Sequence, residues 1–77
     1  MTTRHGTQPV KLTTILLNGA PAQTEAATLA ELVAARGFAE GEVATALNGD
    51  FVPRNARAAT LLAEGDKVEI VAPRQGG

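Results

Sequence analysis

The chain has no cysteine, no tryptophan and no tyrosine. Without thiols there is no disulfide, no thiolate metal site and no cysteine nucleophile. The single histidine, His5, stands in a polar leader, too isolated to be half of a catalytic pair or a metal site, and reads as an incidental exposed side chain. Charge of one sign is lacking too: the formal net charge is −1. The basic residues Arg4, Lys11, Arg36, Arg54, Arg57, Lys67 and Arg74 are scattered along the sequence. Nucleic-acid binding wants a basic patch, often interleaved with stacking aromatics; neither is present, and only two phenylalanines are. No apolar run approaches the length of a membrane span, and the start lacks a charged-then-apolar signal pattern. These absences predict a soluble cytoplasmic domain with no nucleic-acid or membrane partner.

What is present is enough for one small domain. Seventy-seven residues lie near the size at which a core can just support itself without staples. Residues 1–9 are polar and aperiodic, with Gly6 and Pro9 as breakers, and read as a flexible leader. One folded domain is expected over 10–73, and a flexible Gly-Gly tail over 74–77.

Within the body, Val10–Leu17 reads as a first strand with Ile15 and Leu17 toward the core. Asn18-Gly19 suits a tight hairpin turn. The return strand, about Ala20–Glu25, carries Pro21, which confines it to an edge. Thr28-Leu29-Ala30-Glu31 opens a helix as a capping box, with Thr28 accepting from the amide of Glu31 and the Glu31 carboxylate reaching back to the amide of Thr28. Leu29, Leu32 and Val33 form one apolar stripe. Gly37 supplies a left-handed stop, with Phe38 folding back on Val33.

Beyond a polar link, Val43–Leu47 alternates like a half-buried strand, Asn48-Gly49 makes a second turn, and Phe51-Val52-Pro53 returns. Pro53 again marks an edge, and Val52 is expected in the core. Arg54–Arg57 reads as a polar turn or a single helical turn. After a sharp turn at Glu64-Gly65-Asp66, Lys67–Ala72 alternates with Val68, Ile70 and Ala72 on one face. Four or five short strands with one helix can bury their apolar faces only as a sheet packed on that helix. The last strand then takes the first as its parallel neighbour across the helical crossover. The predicted class is α+β, a β-grasp layout of a mixed four- to five-stranded sheet on one main helix.

The chain ends Ala72-Pro73-Arg74-Gln75-Gly76-Gly77. Pro73 cannot donate to a ladder and marks where pairing stops. Beyond it is an arm with almost no bulk, suited to entering a narrow partner site. Most chain ends are simply frayed, and the ending by itself leaves both readings open.

Several segments together resemble the ThiS family, the ubiquitin-like sulfur carriers of thiamine thiazole biosynthesis. They are Leu17-Asn18-Gly19, Thr28-Leu29-Ala30-Glu31-Leu32, the run from Ala46 to Arg54, the run from Glu64 to Val71, and the final Gln75-Gly76-Gly77. The similarity covers about Leu12 to Gly77; the leader is the departure from the pattern. The resemblance implies that the carboxylate of Gly77 is adenylated by a ThiF-like enzyme using ATP and magnesium. A persulfide sulfur donor then replaces AMP, leaving a terminal thiocarboxylate that passes sulfur to a ThiG-like thiazole synthase. It implies no catalytic side chain and no cofactor or metal bound by the chain itself, which is a co-substrate rather than an enzyme. Gly76 and Gln75 would thread the partner's active site.

Arg74, Phe51, Pro53 and Arg54 are candidates for partner contact, the last three on an edge strand expected beside the last strand. For Phe51 a place in the core is the equal alternative, and solvated surface charge is the alternative for both arginines. Related carriers serving molybdopterin, cysteine or tRNA thiolation would share the terminal chemistry. A ubiquitin-like modifier would instead form isopeptide bonds through Gly77, and an interaction domain would have an inert tail.

Overall fold

The computed structural model describes residues 11–73. The leader expected over 1–9, Val10 and the tail expected over 74–77 lie outside them. The elements run β1 (Thr13–Leu17), β2 (Ala20–Thr24), α1 (Leu29–Ala35), a 3-10 turn (Glu40–Glu42), β3 (Ala44–Leu47), β4 (Asp50–Val52), a 3-10 helix (Arg54–Ala59) and β5 (Lys67–Val71). The five strands form one sheet in the order β2-β1-β5-β3-β4. β1 and β5 are parallel, and the other pairs are antiparallel. This is the expected α+β, β-grasp layout. The two proline-bearing segments fall at opposite margins of the sheet, β2 with Pro21 opposite Leu16 and β4 ending just before Pro53. A strand that need not donate on its outer side tolerates proline there.

Both hairpins turn on Asn-Gly. Asn18 and Asn48 each have φ 51°, followed by Gly19 at 86° and Gly49 at 89°, the paired positive dihedrals of a two-residue turn whose twist matches the strands. Their side chains also serve the central strand. The amide of Lys67 donates to Asn48 Oδ1 at 2.9 Å, and that of Ile70 donates to Asn18 Oδ1 at 2.9 Å.

Helix α1 starts as its sequence predicts, with one change. Thr28 Oγ1 accepts from the amide of Glu31 at 3.1 Å. The Glu31 carboxylate, however, accepts from the amide of Ala27 at 2.7 Å rather than from Thr28. Thr28 is extended (φ −125°, ψ 163°) and forms a bridge with Leu61. At the other end, Gly37 (φ 87°) lets its amide reach Ala34 O at 2.9 Å and the amide of Phe38 reach Val33 O at 3.2 Å. The last carbonyls are thereby satisfied in the paired manner that a left-handed stop allows.

The core lies between α1 and one face of the sheet. Leu29, Leu32 and Val33 are buried against Ile15, Val68 and Ile70 from the two central strands. Val43, Val52 and Leu62 close its margins, and Leu17 and Phe38 pack against it half-buried. Burying each such aliphatic side chain stabilises by roughly 1.5–3 kcal/mol. Ala72 departs from expectation: β5 ends at Val71, and Ala72 is exposed past the end of the ladder.

One charged group is buried among the described residues. Arg57 is buried, donating through Nε to Thr45 Oγ1 at 3.0 Å, through Nη1 to Glu40 O at 2.8 Å and through Nη2 to Val43 O at 2.7 Å. Its partners are neutral, but they are dipoles aimed at the guanidinium, which is what permits a charge there. Of the polar turn or single helical turn expected at Arg54–Arg57, the helical form is present, but Arg57 is buried rather than solvated, and it ties the 3-10 helix to β3 and to the Glu40–Glu42 turn.

Candidate functional site

The residues predicted to carry the chemistry, Gly77, Gly76 and Gln75, and the predicted contact Arg74 lie outside the described residues. What the structure does show is the base from which they depart. β5 is the middle strand of the sheet, flanked by β1 and β3. Its C-terminal end therefore leaves from inside the sheet, not from a margin. Because β5 runs parallel to β1 and antiparallel to β3, it exits beside the Asn18-Gly19 turn and the start of β3. Ala72 and Pro73 border a shallow hollow of about 370 Å³ with Phe38, Gly41 and Glu42.

Side chains alternate across the strands, so the face of the sheet away from α1 can be read from the register. Phe51 of β4 lies opposite Ala46 of β3, which lies opposite Glu69 of β5. Ala44 lies opposite Val71, and Leu16 opposite Lys67. This open face carries two large exposed apolar side chains, Phe51 at 69% and Val71 at 57% exposure. They stand among alanines, with Glu69 and Lys67 interspersed. Phe51 is accordingly a surface aromatic, and of its two predicted settings the core is the one the structure rejects. Val52, its neighbour, is buried as expected.

Two placements differ from expectation. β4 is not beside the last strand: β3 pairs with β4 on one side and with β5 on the other. The Asn48-Gly49 hairpin forces β4 against β3, and the outer flank of β3 is the only one left for it. Arg54 is not on β4 either. It opens the 3-10 helix that follows Pro53, and its Nε lies 3.1 Å from Glu40 Oε1 in an exposed ion pair. With Arg57 it lines a hollow of about 220 Å³ against Ala30, Val33 and Phe38, on the helix side. Phe51 and Arg54 thus face different sides of the β4 margin, with Pro53 exposed at the corner between them.

Four of the eight acidic side chains accept from backbone amides. Glu31 and Glu42 accept from the amides of Ala27 and Ala39, Glu64 from that of Thr14, and Asp66 from that of Ala63. Among the described residues no group of three His, Asp or Glu side chains is placed to hold a metal ion, and no helix is long and apolar enough to cross a membrane.

The model of the ThiS family matches residues 15–77. The chain belongs to the ThiS family. Two solved structures agree with that assignment, both from Geobacter metallireducens. The crystal structure of its thiamine biosynthesis protein (ThiS) is 32% identical with a TM-score of 0.68, covering 83% of this chain and 99% of that one. A solution NMR structure of a thiamine biosynthesis protein is 34% identical with a TM-score of 0.69, covering 83% and 87%. No curated protein matches the chain. As a ThiS-family member, the chain has its β-grasp body in the described residues, and the family match runs on through Gly77.

Proposed function

We propose that this ThiS-family chain is a sulfur carrier of thiamine biosynthesis and that its working group is the α-carboxylate of Gly77. The observation that carries this reading is the family match over 15–77, which includes the terminal Gly-Gly. The base of the tail supports it, since the strand leading there is the central one of the sheet.

Chemically, a carboxylate at neutral pH is a poor acyl donor. An adenylating partner of the ThiF type lets a Gly77 carboxylate oxygen attack the α-phosphorus of magnesium-bound ATP. Pyrophosphate leaves, and an acyl-adenylate forms. The terminal sulfur of a persulfide on the sulfur donor then attacks the acyl carbon and AMP leaves. A thiol cleaves the resulting acyl disulfide by taking up the other sulfur, and the C-terminal thiocarboxylate is released. A thiazole synthase of the ThiG type consumes that sulfur. The carrier contributes no catalytic side chain; ATP and magnesium belong to the partner.

Gly76 and Gln75 would lie between the partner's walls, where a Cβ on either glycine position would widen the arm. The open face, with Phe51 and Val71, is the docking surface of this reading. Pro53 and Arg74 flank it in sequence, and Arg54 would contribute only to a partner that reaches around the β4 margin.

The test is to incubate the full chain with ATP, magnesium, a persulfide donor and the host's adenylating enzyme, and to weigh the intact protein. Replacement of one oxygen by one sulfur supports the carrier; lysine conjugates of the chain in cell extract would instead make it a modifier. Gly77→Ala should leave the melting temperature unchanged and sharply reduce acyl-adenylate formation. Unaltered adenylation in a destabilised variant would make the tail structural.

A further inference from the structure

The end of β5 nearest the tail is held by a side chain where a strand has run out. The β1·β5 pairing has only two registered pairs, Leu16 with Lys67 and Leu17 with Val68. On that flank the amide of Leu16 donates to Asp66 O at 2.9 Å, and the amide of Asn18 donates to Val68 O at 2.8 Å. The next group on the same flank of β5 is the peptide of Ile70, but β1 has by then turned away at Asn18-Gly19. Ile70 is buried, so its amide and carbonyl would be left without a partner and away from water. The Asn18 carboxamide fills the gap. Its Oδ1 accepts from the Ile70 amide at 2.9 Å, and its Nδ2 donates to Ile70 O at 3.2 Å. One side chain thus offers an acceptor and a donor in the places of a missing peptide group.

We propose that Asn18 is a positioning residue for the C-terminal tail. This rests on the reading that Gly77 is the group that reacts. By clasping Ile70, Asn18 keeps β5 paired on both flanks almost to its end, since β3 holds the other flank as far as Val71, opposite Ala44. Without the clasp the last residues of β5 are held on one side only. The arm then starts from a wider distribution of positions, and its carboxylate spends less time in line with the nucleotide phosphate. Orientation of this kind acts on the chemical step. Phe51 on β4 is untouched and Val71 keeps its pairing with Ala44, so affinity for the partner changes less than the chemical step.

The fold supplies its own control. Asn48 has the same φ of 51° in the other Asn-Gly turn and also clasps β5, accepting from the amide of Lys67 at 2.9 Å. It does so at the beginning of that strand, remote from the tail. Glycine fits both positions without strain, so Asn18→Gly and Asn48→Gly each remove a carboxamide and keep the turn.

The experiment measures ATP–pyrophosphate exchange by the host's adenylating enzyme with full-length wild type, N18G and N48G as substrates, below the melting temperature of all three. Amide hydrogen exchange at Ile70 is followed in parallel. The expected result is a kcat for N18G lower on the order of tenfold, a carrier KM within about twofold, faster exchange at Ile70, and kinetics for N48G like those of wild type. Equal kcat values for N18G and N48G, or a change in N18G confined to KM, overturn the inference while leaving the carrier reading intact. A wild-type chain that is not adenylated at all removes both.

Discussion

Arg57 and Thr45 form a buried relay. The guanidinium Nε donates to Thr45 Oγ1 at 3.0 Å, and that hydroxyl in turn donates to Val52 O at 2.8 Å. The 3-10 helix, β3 and the β4 margin are joined through these two side chains, with the Val43 carbonyl, which accepts from the same guanidinium, closing the set. The margin that presents Phe51 outward is therefore fastened from beneath.

Replacing Arg57 by leucine should unfasten it. The substitution leaves the Val43 carbonyl and the Thr45 hydroxyl, both buried, short of a donor, along with the part-buried Glu40 carbonyl, and each unsatisfied buried group costs roughly 1–3 kcal/mol. A total loss on the order of 3 kcal/mol is expected in urea unfolding, a large share of what a domain of this size holds. A loss below about 1 kcal/mol, within the ordinary range of net hydrogen-bond contributions, would mean that water reaches these groups and that the arginine is dispensable.

At the head of α1, Thr28→Ala removes the acceptor of the Glu31 amide but leaves the Glu31 carboxylate on Ala27. The cost should be about 1 kcal/mol, lowering the melting temperature by roughly 4–8 °C. Glu31→Gln keeps an oxygen for the same amide without its charge, so its loss should be smaller. Equal losses would show that charge, not geometry, sets the strength of this cap.

The contrast between these two sites shows which parts of the structure the sequence discloses. The caps of α1, the Asn-Gly turns and the apolar stripe of Leu29, Leu32 and Val33 are interactions between near neighbours, and residue type at fixed spacing identifies them. The edge positions of β2 and β4 follow nearly as directly, because Pro21 and Pro53 exclude their segments from the middle, whereas the neighbour of β4 is β3 and not, as expected, β5. Arg57 is different: its acceptors lie 12 to 17 residues away, and only the assembled fold makes a neutral cage for a charge. The same holds for Asn18, whose partner Ile70 is 52 residues distant. The turn propensity of Asn-Gly was legible, whereas the second use of its side chain was not. Of the candidate site, the terminal glycines are conspicuous as residues. The side of the β4 margin on which Phe51 and Arg54 face depends on strand pairing that two short, similar strands do not specify locally.

Gly37→Ala isolates backbone conformation from packing. At φ 87° an added Cβ would meet no atom within 4 Å, so no clash contributes. The cost is that of holding an L-residue in the left-handed region, roughly 1–2 kcal/mol, and it should appear as a lower urea midpoint with an unchanged m-value. A neutral result would mean that α1 unwinds by a residue at its end and gives up the bonds from Gly37 and Phe38 at little cost.

Phe51 gives the sharpest separation between fold and docking. Its ring is 69% exposed and sits opposite Ala46, a small residue that supports it from one side only. Phe51→Ser should therefore change unfolding free energy by no more than about 0.5 kcal/mol, as surface substitutions do. If the open face docks the adenylating partner, the same variant should weaken binding at least about tenfold, or about 1.4 kcal/mol, because aromatic side chains carry much of the energy of such contacts. Arg54→Ala supplies the comparison from the helix side of the margin. A tenfold loss there as well would extend the docking surface around Pro53, and a loss confined to Phe51 would limit it to the sheet. Unchanged binding in Phe51→Ser with unchanged stability would take this face out of the carrier's interface.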